Sequence, residues 1–311
     1  MIAPEKGFNM FNNIIGNEQN KKTLENIIKI NNIAHSYMFV GKESIGKMIF
    51  AKEFAKAILC TNNVKPCETC KSCIQFNTLN NPDFEIIEPD GNTIKIDQIR
   101  ELIKKIYEKP IVSNKKVYII NNSNLMTKEA QNSLLKTLEE PPEYVTIILI
   151  TSNINLFLPT IKSRCTKLSF NKLTSEELKS ILQTKYKIKD ISDLVIRIAD
   201  GSVKKALNII QKENKYIIIN KKYENLENIN IVDIINSKEE IFKDKEDTEE
   251  ILEYTNLIFF DKIKTNKKYI KCMQIVEDTK DRLKKNSNYD MTIDNFNMTV
   301  WEEINGKHYR S

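Results

Sequence analysis

The chain has 311 residues, a formal net charge of +6 and six cysteines, with 41% hydrophobic and 29% charged residues. That size exceeds one compact core, so two or three globular domains are expected, and the mildly basic charge permits nucleic-acid contact without demanding it. No apolar run approaches the roughly 20 residues of a membrane helix, and Met1–Met10 lacks the apolar centre of a signal peptide. A cytoplasmic protein with no membrane contact is therefore expected, with reduced thiols rather than a disulfide framework.

In chain order, residues 1–10 read as an unstructured lead-in, with Met10 a second candidate start. Residues 13–32 then carry the spacing of an amphipathic helix through Leu24, Ile27 and Ile28. Ser36-Tyr37-Met38-Phe39-Val40 is a short apolar run ending at Gly41, and Lys47–Cys60 returns to helical spacing. Strand, glycine-bounded loop and helix is the opening of an α/β nucleotide-binding domain. Further strands are expected at 84–87, 116–120, 145–150 and 166–170. Asp97 is expected to cap a helix reaching about Glu108, and Thr127 begins another that Pro141-Pro142 ends. From about residue 171 the pattern turns helical. Thr174 and Glu177 form a capping box, and helices are expected near 175–185, 190–199 and 202–213. Beyond 214 there is helical periodicity without a motif.

Gly41-Lys42-Glu43-Ser44-Ile45-Gly46-Lys47-Met48 matches the phosphate-loop pattern G-x-x-x-x-G-K-[ST] except at its last position. Gly41 and Gly46 would let the backbone wrap a phosphate, and Lys47 would neutralise its charge. Met48 replaces the hydroxyl that normally reaches Mg²⁺. An acid pair is needed at the end of a neighbouring strand, but Asn121-Asn122 follows 116–120 and cannot serve as a base. Two separate losses point the same way, so ATP hydrolysis by this chain is not expected.

Cys60, Cys67, Cys70 and Cys73 give C-x₆-C-x₂-C-x₂-C, a spacing that suits a structural, tetrahedral Zn²⁺ with no open position. Cys165 and Cys272 read as small buried hydrophobes, His35 as structural, and His308 carries no signal.

Between Met10 and Ala206 the chain resembles the delta-prime family of the bacterial DNA polymerase III clamp loader. The resemblance rests on Ile14-Ile15-Gly16-Asn17, Ala34-His35-Ser36-Tyr37-Met38-Phe39, the altered phosphate loop and the four cysteines. It continues through Asn81-Pro82-Asp83, Ile96-Asp97-Gln98-Ile99-Arg100 and the run Glu129–Pro142. Pro159-Thr160-Ile161-Lys162-Ser163-Arg164-Cys165 completes it, with Gly201-Ser202 and Ala206 resembling a second sensor helix that has Lys204 in place of the usual Arg.

This resemblance implies an AAA+ core at 1–170, a phosphate-loop NTPase-like parallel sheet with an inserted zinc module at 60–73. A helical lid at 171–213 and an all-α collar domain for oligomerisation at 214–311 would follow. It further implies a non-hydrolysing member of a hetero-pentamer with tau/gamma and delta subunits, which acts on the sliding clamp and primed DNA. Arg164 would be the catalytic residue in trans, an arginine finger in a neighbour's ATP site. Thr151, Ser152 and Asn153 would stand where a first sensor sits. Two other readings compete. One is an active ATPase of the tau/gamma type, against which Met48 and the missing acid pair argue. The other is a zinc-dependent DNA adaptor, for which only Lys65 and Lys71 lie near the cysteines.

Overall fold

The computed structural model describes residues 10–285 and 287–306, so the rest of the lead-in and His308 lie outside the described residues. Met10 itself is buried with Phe11, whose ring lies 5.2 Å from that of Phe50, so the lead-in ends before it.

Five strands form one parallel sheet in the order β2-β3-β4-β1-β5. They are β1 (Ser36–Val40), β2 (Phe84–Ile87), β3 (Lys116–Ile120), β4 (Val145–Thr151) and β5 (Thr166–Ser169). Every residue of β3 and β4 is buried, as a parallel sheet covered on both faces requires. Alternate residues feed two cores. Tyr37, Phe39, Val117, Ile119, Ile148 and Ile150 pack with α1 (Glu18–Lys29) and α2 (Lys47–Leu59). Met38, Tyr118, Ile120, Ile147 and Leu149 pack with α4 (Ile96–Ile106) and α5 (Lys128–Glu139) on the other face. This is the period-two alternation of a pleated strand.

Local chemistry shifts several expected boundaries. The first helix starts at Glu18 rather than 13, because Gly16 (φ +87°) and Asn17 (φ 53°) adopt left-handed backbone there. Asn17 is bound on both sides of its amide, donating to Asn171 O (3.1 Å) and accepting from Asn171 N (2.8 Å). Lys95, not Asp97, occupies the cap position of α4; Asp97 lies in its first turn, where a carboxylate suits the helix dipole. A short helix, α3 (Lys71–Asn77), is capped by Cys70 and contains Cys73, and is absent from the sequence reading. The short α6 (Pro159–Lys162) precedes Arg164, and the expected capping box of Thr174 and Glu177 opens α7 (Ser175–Tyr186).

The chain divides into two compact units. The boundary falls after Ile191; Ser192–Ala199 and the residues from Lys205 onward form the second unit, while Asp200–Lys204 belongs to the first. The segment 171–213, expected as a separate lid, is thus shared between the two units.

The second unit is helical. It contains α8 (Asp193–Ala199), most of α9 (Val203–Gln211), α10 (Glu213–Tyr223), α11 (Ile231–Asn236), α12 (Lys238–Ile241), α13 (Thr248–Lys262), α14 (Tyr269–Lys284) and α15 (Tyr289–Asn305). Buried aromatic rings of Tyr216, Tyr223, Tyr254, Phe259, Tyr269 and Phe296 fill its core. Two of the hydroxyls have buried or part-buried acceptors: Tyr223 donates to the buried Asn297 Oδ1 (2.7 Å), and Tyr254 to Asn220 Oδ1 (2.9 Å).

Candidate functional site

The phosphate-loop residues fall at the C-terminal edge of the sheet, where open α/β folds bind ligands. Gly41 follows β1, and its N–H donates to Thr151 O at the end of β4 (3.1 Å). A Cβ at Gly41 would lie 2.6 Å from Phe170 O, so only glycine fits this close backbone approach. Gly46 caps α2 with φ +99°. Both glycines thus sit where the backbone turns tightly from β1 into α2. Lys47 is 6% exposed and donates to Gly41 O (2.5 Å) and Lys42 O within the loop itself. Burial pulls its ammonium down to about 8. Met48 packs against the core of α2, leaving a thioether where a hydroxyl is needed. Lys42 pairs with Asp200 Oδ2 (2.5 Å), whose other oxygen takes Lys172 (2.5 Å), and Val203 N–H donates to Ser44 O (3.3 Å).

At the same edge, Asn121 follows β3 and donates through Nδ2 to both carboxylate oxygens of Glu88 (3.2 and 2.9 Å). Glu88 is an acid that the sequence reading overlooked, because it follows β2 rather than β3. The strand order puts three inter-strand spacings, about 14 Å, between β1 and β2. Glu88 follows a strand that far from the loop's own, and its carboxylate is taken by Asn121 Nδ2. Asn122 has φ 45° and starts a turn of 3₁₀ helix; Thr151 Oγ1 and Ser152 N–H both donate to Asn124 Oδ1 (3.2 and 3.3 Å). Lys204 is exposed.

Arg164 lies at the opposite edge. Its carbonyl accepts from Ser36 Oγ (2.6 Å) at the first residue of β1, whereas Gly41 follows the last. Five residues of strand separate the two, about 16 Å, farther than one side chain spans. The guanidinium donates to Thr160 O (2.8 Å) and Ser163 Oγ (3.4 Å), and its other nitrogen pairs with Glu139 Oε1 at 2.6 Å. Glu139 is in the quoted run of α5, but nothing in one sequence pairs it with a residue 25 positions away.

The four cysteines converge as their spacing predicts. Their sulfurs all lie within 4.8 Å of one another. Cys67 to Cys73 and Cys70 to Cys60 are each 4.0 Å, close to the roughly 3.8 Å edge of a tetrahedron with 2.3 Å metal–sulfur bonds. A disulfide needs about 2.05 Å, and all four are free thiols. Cys60 ends α2 and Cys70 caps α3, so helix ends fix two of the ligands. Backbone N–H groups aim at sulfur: Cys70 N to Cys67 Sγ (3.2 Å) and Cys73 N to Cys70 Sγ (3.4 Å). Burial acts to raise the Cys67 thiol, yet the N–H groups of Thr69 and Cys70 outweigh it and bring it down to about 6. Burial pushes the thiols of Cys60 and Cys73 up. Four sulfurs at this separation fit a cation that would hold all of them as thiolates.

The module is fastened from outside. Lys56, 6% exposed on α2, pairs with Glu68 (2.5 Å), which also accepts from Asn77 Nδ2 (2.9 Å). Asn81 Nδ2 donates to Ser72 O and Ser72 Oγ (both 3.0 Å). The fully buried Asp83 accepts three backbone N–H groups, from Ile111 (2.7 Å), Val112 (2.8 Å) and Ser113 (2.7 Å). The motif Asn81-Pro82-Asp83 thus ties α3 and the approach to β3 together. Among the other singled-out cysteines, Cys272 is buried, with its thiol pushed up by burial to about 12, while Cys165 is half-buried against the second core, at about 11 for the same reason.

Residues 16–174, just over half of the chain, match the family profile described as "DNA polymerase III, delta subunit". The chain belongs to that family. Sequence relatives bear related names. It is 36% identical over 215 residues to the DNA polymerase III subunit gamma/tau of Mycoplasma genitalium, covering 66% of this chain and 36% of that one. It is 38% identical over 162 residues to the DNA polymerase III subunit delta' of Bacillus subtilis, covering 52% and 49%. The chain thus spans between about a third and a half of the length of these relatives. A gamma subunit-related protein from Thermotoga maritima aligns in structure with a TM-score of 0.48 and 18% identity, over 90% of this chain and 99% of that one. Among the described residues no helix is long and apolar enough to cross a membrane.

Proposed function

We propose that this chain is a clamp-loader subunit of the delta-prime kind, which does not hydrolyse ATP itself and supplies Arg164 to the ATP site of a neighbouring subunit. Its partners would be tau/gamma and delta subunits in a hetero-pentamer that loads the sliding clamp on primed DNA. The AAA+ core, a lid formed from 171–213, and a helical collar from 214 on would be its parts.

The observation that carries this reading is the separation of the two sites across the sheet. Arg164 is tied to the N-terminal edge of β1, and the strand puts about 16 Å between that edge and the start of the chain's own phosphate loop. A guanidinium there would act on a nucleotide held by another chain. It is always charged, and it can neutralise charge that develops on a transferring phosphoryl group. The home loop supports the same reading, since Lys47 is spent on loop carbonyls and Met48 and Asn121 replace the magnesium ligands.

The four thiolates of Cys60, Cys67, Cys70 and Cys73 would hold a structural Zn²⁺, whose chemistry is to cross-link the loop after α2 to the start of α3. Lys56 and Asn77 hold Glu68, between two of the ligands, in place.

A second reading, an active ATPase of the tau/gamma type, has one observation in its favour: the 36% identity to a gamma/tau subunit. ATP turnover by the purified chain with Mg²⁺ separates the two. No turnover above a Lys47→Ala control is expected; sustained turnover abolished by Lys47→Ala would establish the motor reading instead.

A further inference from the structure

We propose that Glu139 is the positioning residue of Arg164. It holds the guanidinium at the surface as a resting acceptor, and the triphosphate of a neighbouring site displaces it. This inference rests on the reading that Arg164 acts in trans.

Two residues of α5 define the arrangement. Gln131, 2% exposed, donates to Leu156 O (3.1 Å) and accepts from Leu158 N–H (3.0 Å), fixing the start of α6. Two turns later Glu139 takes Arg164 just beyond the end of α6. Pro141-Pro142 cannot continue the helix, so Glu139 is the last residue of α5 and its backbone position is set by the chain. α5 therefore grips the α6 segment at both ends.

The two terminal guanidinium nitrogens have different partners. One is bound within the chain's own turn, to Thr160 O and Ser163 Oγ. Thr160 O also accepts from Ser163 Oγ (3.1 Å), so this side of the guanidinium is anchored to the turn it follows. Among the described residues, the other is held by the Glu139 carboxylate. A carboxylate, like a phosphate oxygen, is an anionic acceptor that arginine binds, and here the contact is a single one, Nη2 to Oε1. The pair is also weak. Its side chains are 31% and 47% exposed, which puts it among surface ion pairs worth little to the fold. A carboxylate at a helix C-terminus is opposed by the helix dipole as well. Glu139 is thus poorly placed as a stabiliser of α5 and well placed to keep Arg164 oriented until a stronger anion arrives.

The test uses this chain assembled with its ATP-hydrolysing partner subunits, with ATP as the probe. Glu139→Gln keeps the shape and removes the competing charge. The expected result is a fall of about two- to five-fold in KM for ATP at the served site, the size of one exposed ion pair, with kcat unchanged. Glu139→Asp, which keeps the charge, should restore the original KM, and Glu139→Gln should have no effect when Arg164→Ala is also present. A Glu139→Gln complex with unaltered KM and kcat, in a preparation where Arg164→Ala slows turnover, overturns the role of Glu139 and leaves the trans reading standing. A fall in kcat in place of KM also overturns displacement. If Arg164→Ala leaves turnover unchanged, both the trans reading and this inference are lost.

Discussion

The two ends of β1 keep different things. At its C-terminal end the phosphate loop retains its backbone: Gly41 against Phe170, Gly46 at left-handed φ, and the turn into α2. It lacks the hydroxyl and the acid pair of an active site. At its N-terminal end Arg164 retains a charged side chain on a defined mount, fixed by Ser36, Thr160 and Glu139. Glycines that shape a loop also hold the core together, so a loop can lose its chemistry and keep its form. An ion pair as open as that of Arg164 and Glu139 contributes little to folding, and under the proposed function this mount serves a partner.

The comparison can be broken or sharpened at several places. The largest effect is expected at the cysteine module. Purified protein should carry about one zinc per chain, and Cys73→Ser should lose the metal and lower the thermal midpoint by many degrees, since metal binding is coupled to folding. Metal analysis with a melt checks both, and a metal-free protein of unchanged midpoint would remove the zinc reading. Next, Asp83→Ala leaves three N–H donors without their acceptor, that of Ser113 buried and those of Ile111 and Val112 part-buried. At about 1–3 kcal/mol for a buried unsatisfied group and less where water reaches the donor, a loss of about 2–3 kcal/mol is expected. Urea unfolding should show a lower midpoint at unchanged slope.

The loop glycines give a smaller, graded effect. Gly41→Ala forces a Cβ to within 2.6 Å of Phe170 O, whereas at Gly46 a Cβ meets nothing within 4 Å and only the φ of +99° opposes it. Gly41→Ala should therefore destabilise more than Gly46→Ala, which should cost about 1 kcal/mol. Equal effects would mean that the close approach at Gly41 is not what constrains it.

The smallest effect is a pH dependence. Burial lowers the Lys47 ammonium from 10.5 to about 8. Between those values the unfolded chain binds the proton and the folded chain does not, so stability should rise with pH across that window. Below about 8 both states are charged and the cost of burying the ammonium is present in full. The wild type should accordingly gain midpoint relative to Lys47→Met as pH rises from about 8 toward 10.5; parallel curves would contradict the buried, self-bonded lysine.

The strands and the phosphate loop were legible because continuous apolar runs and a glycine pattern are local signals, and β3 and β4 are buried along their whole length. The cysteine cluster was legible for the same reason, as fourteen residues contain all four ligands. What could not be read were contacts made by topology. Nothing in Asp83 announces the N–H groups of 111–113, and Glu88 meets Asn121 only because β2 and β3 pair in parallel register. Glu139 and Arg164 meet through the packing of α5 and α6. Helix starts failed where left-handed residues such as Asn17 overrode an apolar period that seemed to begin earlier.

The central claim is that Arg164 acts on a neighbour and not on its own chain. Its most direct measurement is ATP turnover by the assembled complex containing either the wild-type chain or Arg164→Ala, with equal assembly verified. A loss of about 10³-fold or more at the interface it serves is expected, from a chain that by itself shows no turnover in either form. Equal turnover by the two complexes would contradict the account.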